Sequence, residues 1–360
     1  MLISIKVKYS PRLIVLLVLP VFICLGCKNT PPPNNSAQVE TMDDTKAEEE
    51  VDPSIQIPPV GSVLPVSAFR EIWAYVFVER EWALTPGLPI SDVGYFGAEI
   101  NSYGALTDVP NRRKLRAFPG RVHLVVACNG KGLSHFVLKH GSTERKNLIA
   151  DLLAASKDYD GLQIDFENIP QKDGEPYLSF LKELRAGLGN KMFTVALAAR
   201  TRKIADDVYD YEKILPFVDR ILVMAYDEHW SNSAPGPIAS LPWCKKVANY
   251  SLNVIGKEKL VMGIPFYGRT WGNIKPNRAF YHSGIERTHR EQGSPEIRRE
   301  NGIPTFRYET PLSVTVYYDD EYSLSARMEM YRTMGIASIG FWRLGQETPA
   351  VWKQIKLNSP

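Results

Sequence analysis

The stretch Asp160-Gly161-Leu162-Gln163-Ile164-Asp165-Phe166-Glu167 reads as a short buried strand that carries two carboxylates on one face. Side chains repeat with period two along a strand, so Gln163, Asp165 and Glu167 point one way and Leu162, Ile164 and Phe166 the other. Burying acids beside apolar packing costs several kcal/mol unless they are hydrogen-bonded or protonated, and that cost is tolerated mainly where chemistry is done. The active site is expected here.

Asp160–Phe166 is the fourth of eight such runs. The others, rich in Val, Ile, Tyr and Phe, are Ile72–Val78, Asp92–Ala98, Arg121–Cys128, Met192–Ala198, Asp219–Tyr226, Lys259–Pro265 and Ile336–Trp342. Between them, Thr143 to Lys157 carries Leu148, Ile149, Leu152 and Leu153 at helical spacing behind Ser142 as N-cap. Tyr177–Leu188, Asp207–Val218, Leu241–Leu252 and Glu321–Met334 read as helices in the same way, and Thr348–Leu357 as a helix that closes the barrel. Strands buried on both faces and alternating with helices predict a parallel sheet, and eight such units predict an α/β TIM (β/α)8 barrel over residues 67–360. Residues 272–317 are too many for a simple crossover and are expected to form a small inserted subdomain between strands seven and eight.

Active sites of this fold collect at the C-terminal ends of the strands. Glu167 lies just past strand four, and Trp82, Trp230, Trp271 and Trp342 lie at or near predicted strand ends. Each alone reads equally well as core; together they suggest stacking surfaces for sugar rings around one mouth. Asp319 and Asp320, before a helix, and Asp206 and Asp207 read as capping residues.

The N-terminus sets the expected compartment. Met1 to Gly26 has a basic start (Lys6, Lys8, Arg12) and an apolar run from Leu13 to Ile23, too short for the roughly 20 residues of a spanning helix, and reads as a secretory signal. Leu25-Gly26-Cys27 resembles the cleavage box of bacterial lipoproteins, with Cys24 where leucine is more usual, and that resemblance implies lipidation of Cys27. Ordinary cleavage near Gly26 and an uncleaved anchor are the alternatives. Removing residues 1–26 would leave 40 basic and 40 acidic residues, so the formal +3 of the chain is a targeting feature and predicts no nucleic-acid partner. Residues 27–66, with Pro31, Pro32, Pro33 and an acidic run at Glu48, Glu49 and Glu50, read as a flexible tether. Cys128 and Cys244 read as two separate small buried residues, and the six histidines fall in no ligand spacing. No metal and no cofactor are expected, and the chain is expected to act as a monomer.

These residues resemble glycoside hydrolase family 18, the chitinase-like hydrolases. The stretch from Asp160 to Glu167 is similar to the family's strand-four motif, Met224-Ala225-Tyr226-Asp227 to its strand-six motif, Gly263 to Arg269 to its strand-seven motif, and Gly340-Phe341-Trp342 to its strand-eight tryptophan. All four occur in family order. Gln163 departs from it, standing where typical chitinases have an aspartate; with Asn168, and with Asn129 after strand three, it is similar to the branch of spore cortex-lytic and germination hydrolases, which act on peptidoglycan.

The resemblance implies a substrate-assisted reaction on an N-acetylhexosamine polysaccharide, one of the exceptions to two-carboxylate glycosidase chemistry. Glu167 would be the general acid. Asp165 would orient the acetamido group of the sugar and raise the pKa of Glu167, and Gln163 in place of a charge would leave Asp165 firmly ionised. Tyr226 would bond the acetamido oxygen, beside Met224 on the inward face of strand six, and Asp227 would hold sugar. Trp342 would floor the site, and Tyr267 and Arg269 would line the cleft, unless Arg269 instead holds the inserted subdomain through an ion pair. Asn129 would be a further substrate contact. The expected activity is that of an envelope-anchored glycosidase acting on peptidoglycan; the alternatives are a chitin or chito-oligosaccharide hydrolase and a non-catalytic glycan-binding lipoprotein.

Overall fold

The computed structural model describes residues 55–272, 277–310 and 312–358. Eight parallel strands close on themselves: β1 Glu71–Phe77, β2 Asp92–Ile100, β3 Arg121–Asn129, β4 Gly161–Glu167, β5 Met192–Ala198, β6 Arg220–Met224, β7 Leu260–Pro265 and β8 Ser338–Trp342. Closure is made by β8, which pairs with both β7 and β1, while β1 pairs onward to β2. The TIM barrel predicted from eight apolar runs is therefore the fold.

Period-two alternation divides every strand between two cores. Ile72, Ala74, Val93, Tyr95, Leu162, Ile164, Phe166, Val195 and Ile339 face outward into the layer of helices. Trp73, Tyr75, Val125, Ala196, Leu222 and Val261 face inward and fill the barrel. The covering helices bury one stripe each, as in Gly174–Leu188, where Tyr177, Phe180, Leu181, Leu184 and Leu188 recur at helical spacing. Ser142 caps the helix Thr143–Ala155 by accepting from Arg145 N.

Several expectations needed correction. The helix read at Asp207–Val218 shrinks to Tyr211–Ile214 and a 3-10 turn at Leu215–Phe217, because Pro216 has no N–H to continue an α-helical ladder. Its N-cap is Asp210, whereas Asp207 accepts from Tyr209 N and pairs with Arg200, and Asp206 turns the chain with φ of 53°. Asp320 does cap Glu321–Thr333, but Asp319 is a buried partner of Arg327. Thr348–Leu357 is not a helix: a 3-10 turn at Pro349–Gln354 leads into a strand, Ile355–Leu357, that pairs with Ser67–Phe69. A helix at Lys131–Leu138 was not anticipated. In the stretch read as tether, Ile55 is buried and Ile57 packs on the main core, so the folded body begins before Ser67.

Between β7 and β8 lies a five-stranded antiparallel sheet in the order Arg278–Tyr281, Tyr267–Gly272, Leu312–Tyr317, Ile303–Thr310, Arg298–Glu300. The helix His282–Glu291 covers one face of it through Ile285, against Phe306, Val316 and Tyr318. The insertion starts at Tyr267, earlier than the sequence suggested. Residues 1–54, including the predicted signal, Cys27 and most of the tether, lie outside the described residues.

Candidate active site

The inward positions of β4 form a ladder that rises from the apolar filling of the barrel to its C-terminal rim. Gln163, lowest, is 1% exposed; Asp165 above it is 6% exposed; Glu167 stands at the open end. In register beside them on β3 are Val125, Ala127 and Asn129. On the outward side Phe166 stacks on Phe180 at 5.5 Å. The strand ends sharply, because Asn168 takes a left-handed φ of 59° and Tyr209 Oη clamps the turn, donating to Phe166 O at 3.0 Å and accepting from Ile169 N at 2.9 Å. Asn tolerates that conformation better than most residues.

Gln163 is fully engaged. Its Oε1 accepts from Tyr75 Oη on β1, and its Nε2 donates to Thr194 Oγ1 on β5 at 3.0 Å. Neither bond reaches Asp165, whose Oδ1 is buried without a hydrogen-bond partner among the described residues.

The carboxyls respond accordingly. Burial, then the nearby charge of Glu167, pushes the pKa of Asp165 up to about 8. This reverses the expectation of a firmly ionised Asp165: an amide at 163 removes one like charge, but burial without a donor, together with the charge of Glu167, outweighs that relief. Glu167 is also raised, by desolvation first and by the charge of Asp227 second. Asp227, three residues beyond β6, therefore bears on the acid as well, a charge the sequence reading had not assigned to it.

These groups open into one cavity of about 500 Å³. Asp165, Glu167, Met224, Tyr226, Asp227, Tyr267, Arg269 and Trp342 all line it. Tyr226 lies two residues beyond β6, and burial keeps its phenol protonated far above neutrality. Asp227 accepts from Tyr267 Oη at 2.6 Å and from Arg269 at 3.0 Å, so Arg269 both lines the cleft and ties the inserted sheet to the barrel. Trp342 is wedged among Tyr75, Phe77 and Phe96, with ring centroids 5.1, 5.6 and 5.3 Å away. Asn129 sits on the rim beside Glu167 and does not line the cavity; Gln163 lies beneath it.

Of the other tryptophans expected at the mouth, Trp271 is buried against Tyr317, and Trp82 and Trp230 are exposed and line no part of the cavity. Trp243, Tyr75 and Gln346 line it without having been anticipated. Tyr75 was findable, since β1 parity puts it inward with Trp73; nothing in the sequence marks Gln346. Cys128 and Cys244 are both buried and unpaired.

An open cleft at the C-terminal mouth of a TIM barrel, with adjacent carboxyls of raised pKa over an aromatic floor, defines a glycosidase-like site. The chain belongs to the glycosyl hydrolases family 18, whose family model matches residues 97–347. It is 29% identical over 229 residues to the "Uncharacterized glycosylase YvbX" of Bacillus subtilis, covering 59% of this chain and 66% of that protein. It is 24% identical over 239 residues to the cortical fragment-lytic enzyme of Bacillus anthracis, covering 62% of this chain and 55% of that one. The chain thus spans between about half and two thirds of the length of these curated relatives. Among solved structures, the spore cortex-lytic enzyme SleL of Bacillus cereus superposes with a TM-score of 0.72 at 20% identity, covering 81% of this chain and 76% of that one.

Proposed function

We propose that the protein is a retaining, substrate-assisted glycoside hydrolase of β-linked N-acetylglucosamine glycans, with peptidoglycan as its substrate. The observation that carries the reading is the carboxyl pair of β4, both members raised in pKa and facing one cavity with Tyr226 and Trp342. Glu167, whose pKa burial raises, gives its proton to the glycosidic oxygen. The acetamido carbonyl oxygen of the sugar over Trp342 attacks the anomeric carbon, the bond to the leaving sugar breaks, and an oxazolinium ring forms. Water, deprotonated by Glu167, then opens that ring and restores the β configuration. Because the nucleophile belongs to the substrate, alignment makes the step intramolecular, which supplies on the order of 7–11 kcal/mol.

Asp165 acts below. The acetamido N–H brings Oδ1 the donor it lacks, which favours the ionised carboxyl just as positive charge builds beside it. The Tyr226 hydroxyl donates to the acetamido oxygen, and Asp227, already braced by Tyr267 and Arg269, holds a sugar hydroxyl.

The departures at Gln163 and Asn129, and the cortex-lytic names of the relatives, support peptidoglycan over chitin. The test is digestion of purified peptidoglycan and chito-oligosaccharides by protein lacking residues 1–27, with new reducing ends assigned by mass spectrometry. GlcNAc ends are expected; MurNAc ends would overturn the bond assignment, cleavage of chito-oligosaccharides alone would move the substrate to chitin, and equal rates on de-acetylated polymer would remove the acetamido group from the mechanism. The same reading makes the enzyme an exported lipoprotein of the cell envelope. Its membrane fraction should yield an N-terminal peptide with the mass of lipidated Cys27, and Cys27→Ala should release the protein; an unmodified peptide from membranes would refute the anchor.

A further inference from the structure

We propose that Lys131 and Lys172, the latter held by a His135–Asp173 pair, form a subsite for a carboxylate on the sugar that leaves. The inference rests on the hydrolase reading above and narrows its substrate to an acidic glycan.

The proposed mechanism, set on the barrel, implies which side the leaving sugar occupies. β4 and β8 lie on opposite sides of the eight-stranded barrel. With the attacked ring over Trp342 on β8 and the acid on β4, the leaving sugar lies beyond Glu167, over the loops that follow β3 and β4. Those two loops are tied together behind the acid. Ser134 Oγ donates to Gly130 O at 3.0 Å and reaches Glu167 O at 3.5 Å. His135 Nδ1 lies 2.8 and 3.0 Å from the two oxygens of Asp173, and Lys172 Nζ lies 3.5 Å from His135 Nε2.

The chemistry of that array has a direction. Asp173 is 4% exposed, so its charge is directed inward onto the imidazole and not toward the cleft. An Nδ1–H that donates to Asp173 leaves Nε2 as an acceptor, which holds the Lys172 ammonium at the rim. Lys131 follows Asn129 by two residues, and Asn129 neighbours Glu167 at the inter-strand spacing of about 4.8 Å. Both lysines are exposed. Neither lysine lines the cavity itself; a buried carboxylate behind a half-exposed imidazole orders one of them outside it, on the side proposed for the leaving sugar. A neutral chito-oligosaccharide gains nothing from it, whereas a sugar bearing a lactyl or peptide carboxylate does.

The test compares kcat/KM on three glycans: a neutral chito-oligosaccharide, a peptide-free glycan with free lactyl carboxylates, and peptidoglycan fragments whose lactyl carboxyl is amide-bonded and whose charge sits on the peptide. In the Lys131→Ala/Lys172→Ala double variant the acidic-to-neutral ratio should fall about five- to tenfold, as expected for two exposed ion pairs. The wild-type ratio should decline with added salt and the variant's should not, while Lys172→Arg should keep the ratio. The acidic glycan that loses more identifies which carboxylate is read. Because misfolding lowers all three rates together, the ratio isolates recognition. A ratio within about twofold of wild type on both acidic glycans, with Glu167→Gln inactive, overturns the subsite alone; a wild-type protein that cuts none of the three overturns the hydrolase reading beneath it.

Discussion

At the N-terminal end of the barrel Glu71 and Asp92 point inward, as Asp165 and Glu167 do at the C-terminal end, yet the two pairs shift in opposite directions. Burial penalises Glu71 and Asp92 as it does the others, but Arg220 lies 2.9 and 2.6 Å from the oxygens of Glu71. Asp92 accepts from Arg121 Nε at 2.7 Å and lies 2.8 Å from His123 Nε2. Against desolvation, those donors lower Glu71 and hold Asp92 at about 2. At the other end no donor among the described residues reaches Asp165, and it rises. The lower pair closes the barrel floor; the upper pair is left without partners, which is what a site needs if a ligand is to supply them.

Glu167→Gln tests the upper pair most severely. Removing a general acid lowers turnover about 10²–10⁴-fold while leaving glycan affinity nearly intact. The wild-type rate should fall as pH rises through the elevated pKa of Glu167. An unchanged kcat in the variant would take Glu167 out of the mechanism.

The lower pair should instead govern stability. Arg220→Met leaves Glu71 buried with only two longer contacts, from Arg121 and from Trp73 Nε1, each at 3.3 Å, and should cost about 3 kcal/mol of unfolding free energy in denaturant titrations. Because the folded pKa of Glu71 is depressed, its contribution is present above the ordinary value of 4.5 and is lost as pH falls through the lower folded value. The gap between wild type and variant should therefore close in acid; a gap independent of pH would assign the loss to packing.

Asp165→Asn should move stability the other way. A carboxyl raised to about 8 imposes no penalty below its ordinary 3.8, and its folded state loses stability progressively as pH rises between those values. The variant should match wild type at pH 4 and exceed it by on the order of 2–4 kcal/mol at pH 8 while losing activity. Equal stability at both pH values would mean that Asp165 is solvated or paired.

The barrel was legible in the sequence because parallel strands buried on both faces show as apolar runs, so eight of them separated by helical patterns left few alternatives. The carboxyl ladder was legible from period two alone. What sequence reading missed depends on contacts between distant strands: Gln163 is satisfied by Tyr75, 88 residues away, and by Thr194, 31 residues away. Neither pairing has a local signature, nor does the depth at which Asp165 is buried without a donor, so its protonation was read with the wrong sign. The floor network draws Glu71, Asp92, Arg121 and Arg220 from four strands and was invisible for the same reason. Trp271 was misplaced because the strand Tyr267–Gly272 belongs to the inserted sheet, whose inner face buries it.

Gln163→Asp probes the boundary between the two ends and should have the smallest effect. The shorter side chain retains an acceptor for Tyr75 but has no N–H for Thr194, so it places a third carboxyl beneath Asp165 without a new donor. Like charges in a line resist joint ionisation, so the ladder would hold one more proton near neutrality, and the alkaline limb of kcat/KM should move upward by about one pH unit. Thr194→Val combined with Gln163→Asp should leave that displacement in place, since the threonine acts only through the amide. A pH profile superimposable on wild type would show that Asp165 is insensitive to charge below it, and its proton affinity would then belong to burial alone.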